Sequence, residues 1–279
     1  MIRVVTDSVS DIPKELAAEL NIEVLPLIVN FGEKSYRDGV DLTSEDFFQL
    51  MKETSILPTT SQVAPGDFIR VFEDNIQKGN SVIVILISSQ LSGTFSSAVA
   101  ARKIVERGDI EIIDSQGVTF GQGLIVVEAA RMAKKGCGKE EILKRVLYMK
   151  DHMQYKFVLD TLEYLHKGGR LSATSAFVGN LLNIKPILTV KDGKLVLEDK
   201  VRGRKKALKW LTDWIESNNI DLSNQTIGIN HSNDEAFAHE LIEIIKHKYE
   251  VKEIITSKVG CVVGTHAGPG AVAMYCLKE

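Results

Sequence analysis

Val82 to Ile87 is a run of six consecutive apolar residues, most of them β-branched, with no polar residue at alternate positions. A strand with one wet face alternates; a strand without alternation is buried on both faces, as in the interior of a parallel sheet. The run therefore predicts a sheet covered by helices. Strand-like segments Ile2 to Thr6, Ile22 to Val29 and Ile110 to Asp114 alternate with helical ones. The helical segments are Pro13 to Leu20, Ser44 to Glu53 behind a Thr43 cap, Gly66 to Lys78 and Phe95 to Glu106. That order is the pattern of an α/β unit with a parallel sheet.

Hydroxyl groups begin where the central run stops. Ser88, Ser89, Ser92 and Thr94, with Gly93 among them, form a polar turn between the strand and the next helix. At the carboxyl edge of a parallel sheet, free N–H groups and the positive helix end meet in such a turn, which suits a small oxyanion. Ser92 fits a helix N-cap equally well. No Gly-x-Gly-x-x-Gly or Gly-Lys-Ser/Thr loop is present, so neither a dinucleotide nor a nucleoside triphosphate is implied. Ser92 is also not set in a Gly-x-Ser-x-Gly elbow.

Asp7 and Asp11, after the first strand, read as turn and capping residues ahead of metal ligands. Asn30 to Gly39 reads as a polar hairpin or loop. In Pro58 to Pro65, two prolines stiffen a run containing Thr59, Thr60, Ser61 and Gln62. Such a segment either offers fixed donors to a ligand or is a capped inter-helix loop. Gly117 to Gly123 reads as a glycine-punctuated turn before helices through Lys135 and from Lys139 to about Lys150.

Beyond Asp151 the pattern changes. Gln154 to Leu159 is strand-like, and Gly168 and Gly169 allow a tight backbone before Arg170. The guanidinium of Arg170 reads either as a rigid fork for an anion or as a surface or capping group. Asp192-Gly193 between Ile184–Lys191 and Lys194–Lys200 signals a hairpin, so this half carries a mixed sheet. Lys200, Arg202, Arg204, Lys205, Lys206 and Lys209 crowd the start of a helix, where each cation is unfavourable by a few tenths of a kcal/mol. The cluster is either a solvated face or a docking site for an acidic or phosphate-bearing partner. Gln225 to Asn230 and the segments near Lys252 to Val259 and Gly270 to Leu277 read as strands, and Asn233 to Tyr249 as a helix. His266 lies in the run Gly264 to Gly270, read as a glycine-rich loop that presents the imidazole. The remaining histidines form no metal-ligand set.

Of the 279 residues, 44% are hydrophobic and 25% charged, and the net charge is −3. That is ordinary globular composition, with no general attraction to nucleic acid or to an acidic membrane. Cys137, Cys261 and Cys276 have no zinc-like spacing and suit a reducing compartment. No apolar run is long enough to span a bilayer. A soluble cytoplasmic protein is predicted.

Several of these stretches together resemble one family. Val5-Thr6-Asp7-Ser8, Pro58-Thr59-Thr60-Ser61-Gln62, Ser88-Ser89-Gln90-Leu91-Ser92-Gly93-Thr94, Lys167-Gly168-Gly169-Arg170-Leu171-Ser172 and Gly264-Thr265-His266-Ala267-Gly268-Pro269-Gly270 carry the likeness. The chain resembles the DegV family of bacterial fatty-acid-binding proteins, which includes binding subunits of fatty acid kinase. Ala267 stands where the family often has glycine. The resemblance implies two α/β domains: residues 1–150 three-layered around a parallel sheet, and 151–279 two-layered with a mixed sheet. It implies a long-chain fatty acid with its carboxylate near the domain interface at Thr60, Ser61, Ser92, Gly93 and Thr94, with His266 and Arg170 close by. It implies a carrier and not an enzyme: a separate kinase subunit supplies nucleotide and metal, and the chain itself needs no cofactor; the basic cluster that opens at Arg202 is the candidate docking site for that partner. The rival expectation is an acyl or phosphate ester hydrolase with Ser92 as nucleophile and His266 as base.

Overall fold

The computed structural model describes residues 1–54, 56–171 and 183–278. Ser172, the last residue of the Lys167 motif, lies outside them. The chain begins with β1 (Ile2–Asp7), α1 (Lys14–Glu19), β2 (Glu23–Leu25), β3 (Ile28–Phe31) and β4 (Lys34–Arg37). There follow α2 (Ser44–Glu53), β5 (Thr59–Ser61), α3 (Pro65–Gln77), β6 (Ser81–Leu86), α4 (Thr94–Val105) and β7 (Ile110–Asp114). Strands β2, β1, β6 and β7 form, in that order, a parallel sheet. In β6, Val82 to Leu86 are all 0% exposed, as a non-alternating strand requires.

Next come α5 (Thr119–Lys134), α6 (Lys139–His152), β8 (Met153–Val158), α7 (Glu163–Lys167), β9 (Ile184–Lys191) and β10 (Lys194–Arg202). The chain closes with α8 (Arg204–Ser217), β11 (Thr226–Ser232), α9 (Glu235–Lys248), β12 (Glu253–Lys258), α10 (Cys261–Ala267) and β13 (Ala271–Leu277). Here the sheet runs β10-β9-β8-β13-β11-β12 and is mixed: only β11 and β12 are parallel neighbours. Helices α8 and α9 cover one of its faces with a core of Leu208, Leu211, Ile215, Phe237 and Leu241. Helix α5 covers the other while also packing on β1 and β6, so it lies between the two sheets. Among the described residues no helix is long and apolar enough to cross a membrane.

Four expectations are corrected. The strand read from Ile22 to Val29 is broken at Pro26, which lacks a backbone N–H for a ladder; β2 stays in the parallel sheet and β3 leaves it. The Pro58–Pro65 segment is not only a loop: β5 pairs antiparallel with β3, Thr60 opposite Val29, in a small sheet of order β4-β3-β5. Of the glycine-punctuated turn, only its beginning precedes α5; Gly121 and Gly123 are inside the helix. They are there for close approach, Gly121 beneath the rings of Tyr155 and Tyr275, and Gly123 against the Ser10 carbonyl. Finally, Cys261 to Ala267 is helical, with Gly264 placed where Phe47 and Phe48 press on the helix.

Gly123→Ala would set a methyl group against the Ser10 carbonyl oxygen and the Phe120 ring. The expected loss of stability is about 1–3 kcal/mol, the usual range for overpacking. It is read from the urea midpoint; an unchanged midpoint would show that α5 is free to shift between the sheets.

Candidate functional site

Each polar residue of interest is delivered by a different element. Thr60 is fixed by the β3–β5 ladder, which is reinforced by Asn30 Nδ2 donating to Ser61 Oγ at 3.2 Å. Ser92 belongs to the turn after β6. Its N–H and that of Leu91 donate to the Ser88 carbonyl at 3.1 and 2.9 Å, so the turn closes on itself before α4 starts. Ser92 Oγ accepts from Thr94 N at 3.3 Å and lies 3.0 Å from Thr94 Oγ1. The hydroxyl therefore does the work of a cap and still faces the cavity described below. Thr94 is fully buried behind it and forms no part of the cavity wall.

Gln62 joins these two elements. Its Nε2 donates to Ser97 Oγ on α4 at 2.7 Å, and its Oε1 occupies the space that a side chain at residue 93 would take. Only glycine at 93 leaves room for that latch. From the far end of the chain, the last turn of α10 brings His266, whose Nε2 is 3.0 Å from Thr60 Oγ1. The other ring nitrogen, Nδ1, is buried, has no partner, and packs against Gly168. Arg170 is anchored through its own donors, Nε to the Leu91 carbonyl at 3.2 Å and Nη1 to the Gly168 carbonyl at 2.6 Å.

Thr60, Ser61, Gln62, Ser92, Gly93, Arg170 and His266 all line one cavity of about 410 Å³. That volume is in the range of small-molecule sites. The rest of the wall is mostly apolar and comes from both parts of the chain: Val9, Ile87 and Leu91 on one side, Leu165, Leu188 and Val272 on the other. Two polar exceptions, Thr119 and Asn230, are bonded to each other at 2.7 Å. Arg202 is exposed at the end of β10 and is not part of this wall. Nothing in the sequence separates these apolar wall residues from core. The roles of Gln62 and Gly168 are set by contacts across the fold, to which spacing gives no clue.

Burial, and after it the charge of Arg170, lower the His266 imidazole to about 4, so the ring is neutral at pH 7. The folded state then binds fewer protons at this group than the unfolded chain, whose histidines titrate near 6.5. Its contribution to stability is complete above pH 6.5 and is lost as pH falls towards 4. Burial acts oppositely on Asp7, raising its carboxyl to about 7, and raises Asp11 and Asp38 as well, so what these carboxyls contribute falls as pH rises. Comparison with a variant separates the two. His266→Gln is expected to show a smaller drop in urea midpoint between pH 6.5 and 4 than the unmodified chain. Equal drops would mean that the imidazole is not held neutral.

A family model described as "Uncharacterised protein, DegV family" matches residues 1–279. The chain is 44% identical over 274 residues to a DegV domain-containing protein of Caldanaerobacter subterraneus subsp. tengcongensis, covering 98% of each chain. Two solved structures superpose closely. One, reported for fatty acid binding of a DegV family protein from Thermus thermophilus, has a TM-score of 0.92 at 33% identity, covering 100% of this chain and 99% of that one. The other, DegV of Bacillus subtilis, described as a fatty acid binding protein, has a TM-score of 0.88 at 37% identity, with 99% of each chain covered. On sequence and on fold alike, the chain belongs to the DegV family.

Proposed function

We propose that this protein carries one long-chain fatty acid and presents its carboxylate to a separate fatty acid kinase. The single observation that carries the reading is a cavity with apolar walls and a cluster of hydroxyl, imidazole and guanidinium groups at one place on it. It lies between residues 1–150 and 151–279, which we take as the two domains. The fatty acid binding reported for the two structural relatives supports the choice of ligand. Burying the tail contributes about 0.8 kcal/mol per methylene, on the order of 10 kcal/mol for a long chain before the costs of association. A hydrogen bond to the charged head contributes about 1.5–3 kcal/mol. The tail sets affinity and the polar cluster sets orientation.

At the head, the tautomer matters. With the proton on Nε2, His266 donates to Thr60 Oγ1, and the Thr60 hydroxyl keeps its own proton for a carboxylate. Ser92 supplies a second hydroxyl, Ser61 and Gly93 line the same place, and Arg170 supplies the positive charge. The hydrolase reading lacks its central contact. Ser92 is engaged with Thr94 and His266 with Thr60, and the Nδ1 that an acid would hold in a triad has no partner.

The kinase half of the proposal rests on the family likeness and on the basic cluster. Arg204 is not available for docking, since it pairs with Asp234 and stacks over Phe237 at 4.3 Å. Arg202 is exposed. The Asp192-Gly193 tip of its hairpin touches Ser88, which places Arg202 at the far end of β10, roughly 30 Å along the strand. That is about the breadth of one standard protein interface, so one partner can cover both. A cytoplasmic location, where such a kinase and its nucleotide would be met, fits the same reading.

Mass spectrometry of lipid extracted from the purified protein is expected to find a long-chain fatty acid; repeated absence, together with no uptake of added fatty acid, overturns the proposal. Thr60→Ala and Ser92→Ala are each expected to weaken fatty acid binding roughly tenfold or more. Equal affinity would reduce both residues to loop closure and helix capping. Arg202→Ala is expected to lower acyl-phosphate formation with the kinase at limiting protein while lipid binding stays unchanged. Normal turnover would remove Arg202 from the docking surface.

A further inference from the structure

Helix α10 carries His266 in its last turn, and its first turn is gripped by two acidic residues from the other end of the chain. Gly260 N donates to Asp11 Oδ1 at 2.9 Å and Cys261 N donates to Asp38 Oδ1 at 2.9 Å. Residue 260 is a glycine at the point of closest approach: a Cβ there would be 2.9 Å from Asp11 Oδ1 and 3.2 Å from Asp38 Oδ1. Each carboxylate is held from behind as well. Thr119 Oγ1 donates to Asp11 Oδ2 at 2.5 Å, and Ser8 Oγ donates to Asp38 Oδ2 at 2.9 Å. Asp38 is 4% exposed and Asp11 7%.

We infer that Asp11 and Asp38 are positioning residues for the head-group histidine. A helix of seven residues has too few internal hydrogen bonds to hold itself, so its direction is set by what grips its ends. Here the N-terminal N–H groups donate to oxygen atoms of two buried carboxyl groups, which satisfies donors that the helix cannot satisfy itself. Phe47 and Phe48 press on the middle at Gly264, and Gly168 backs the imidazole at the far end. The carboxylates touch neither His266 nor the cavity's hydroxyl cluster; they act through the helix. Loss of one would leave a buried N–H without an acceptor and release the end opposite the imidazole. Asp11 has a second tie: Thr119, which holds it, and Asn230, which holds Thr119, both line the cavity.

For its binding readout, the inference rests on the fatty acid reading; a second readout does not. The experiment is a double-mutant cycle of Asp38→Ala with His266→Ala, measuring the dissociation constant of a long-chain fatty acid. Asp38→Ala alone is expected to raise it about tenfold, and by under about twofold once His266 is gone, because coupled residues are non-additive. Asp38→Asn, which keeps an oxygen for Cys261 N, is expected to restore most of the affinity. In ligand-free protein, the His266 imidazole, followed by NMR, is expected to titrate nearer the ordinary histidine range in Asp38→Ala than in the unmodified chain. An equal penalty in both backgrounds, or an unmoved His266 titration, overturns the inference. A protein that binds no fatty acid at all overturns the carrier reading and leaves the titration to decide this one. Should Asp38→Ala not fold, Gly260→Ala, whose methyl would press on both carboxylates while leaving them in place, is expected to move both readouts in the same direction, and no movement overturns the inference.

Discussion

A helical segment without a solvent face must meet packed structure on every side, and the first nine residues of α5 are such a segment. From Thr119 to Val127 each residue is buried. On one side it meets β1 and β6 of the parallel sheet, on the other β8, β11 and β13 of the mixed sheet. Two large surfaces can close on one helix only where bulk is removed, and bulk is missing at Gly121, at Gly123 and at Gly228 on β11, where Phe120 fills the space. One apolar core therefore runs from Val4 in the first strand to Leu277 in the last. The cavity lies beside this joint, lined by residues that follow β1 and β6 and by the amino end of β13.

The polar cluster on that cavity is built so that no group in it is free to wander. Ser92 is held by its own turn, Arg170 by two carbonyls, His266 by Gly168 behind and Thr60 ahead. A neutral imidazole beside a fixed guanidinium leaves a single positive charge on this part of the cavity wall. Side chains held in this way lose little freedom when a ligand binds, which lowers the cost of association.

The layers were legible in the sequence because they are dictated by neighbours along the chain. A non-alternating run made β6, Thr43 capped α2, and Asp192-Gly193 turned the second hairpin, each for a local reason. What was not legible depends on residues far away. Thr59 to Ser61 is a strand only because β3 leaves the main sheet at Pro26 and offers its edge. The glycines in α5 look like a turn until Tyr155 and the Ser10 carbonyl occupy the space beside them. The run around His266 looks like a loop because its glycines have low helix propensity, which the carboxylates at its start and the phenyl rings at its side override. Most of the polar residues gathered on the cavity lie in stretches that stand out in the sequence; their hydrogen bonds do not.

The bond between Thr60 and His266 joins residues 206 apart in the chain. Contacts of such separation close late, because the entropy of a long loop is lost before the contact forms. During synthesis at about 5–20 residues per second, His266 follows Thr60 by about 10–40 s, time in which the parallel sheet can fold alone. A nascent chain thus displays apolar cavity wall before the Thr60–His266 bond can form across it. The cavity is complete only in the finished molecule, closed as the last strands dock.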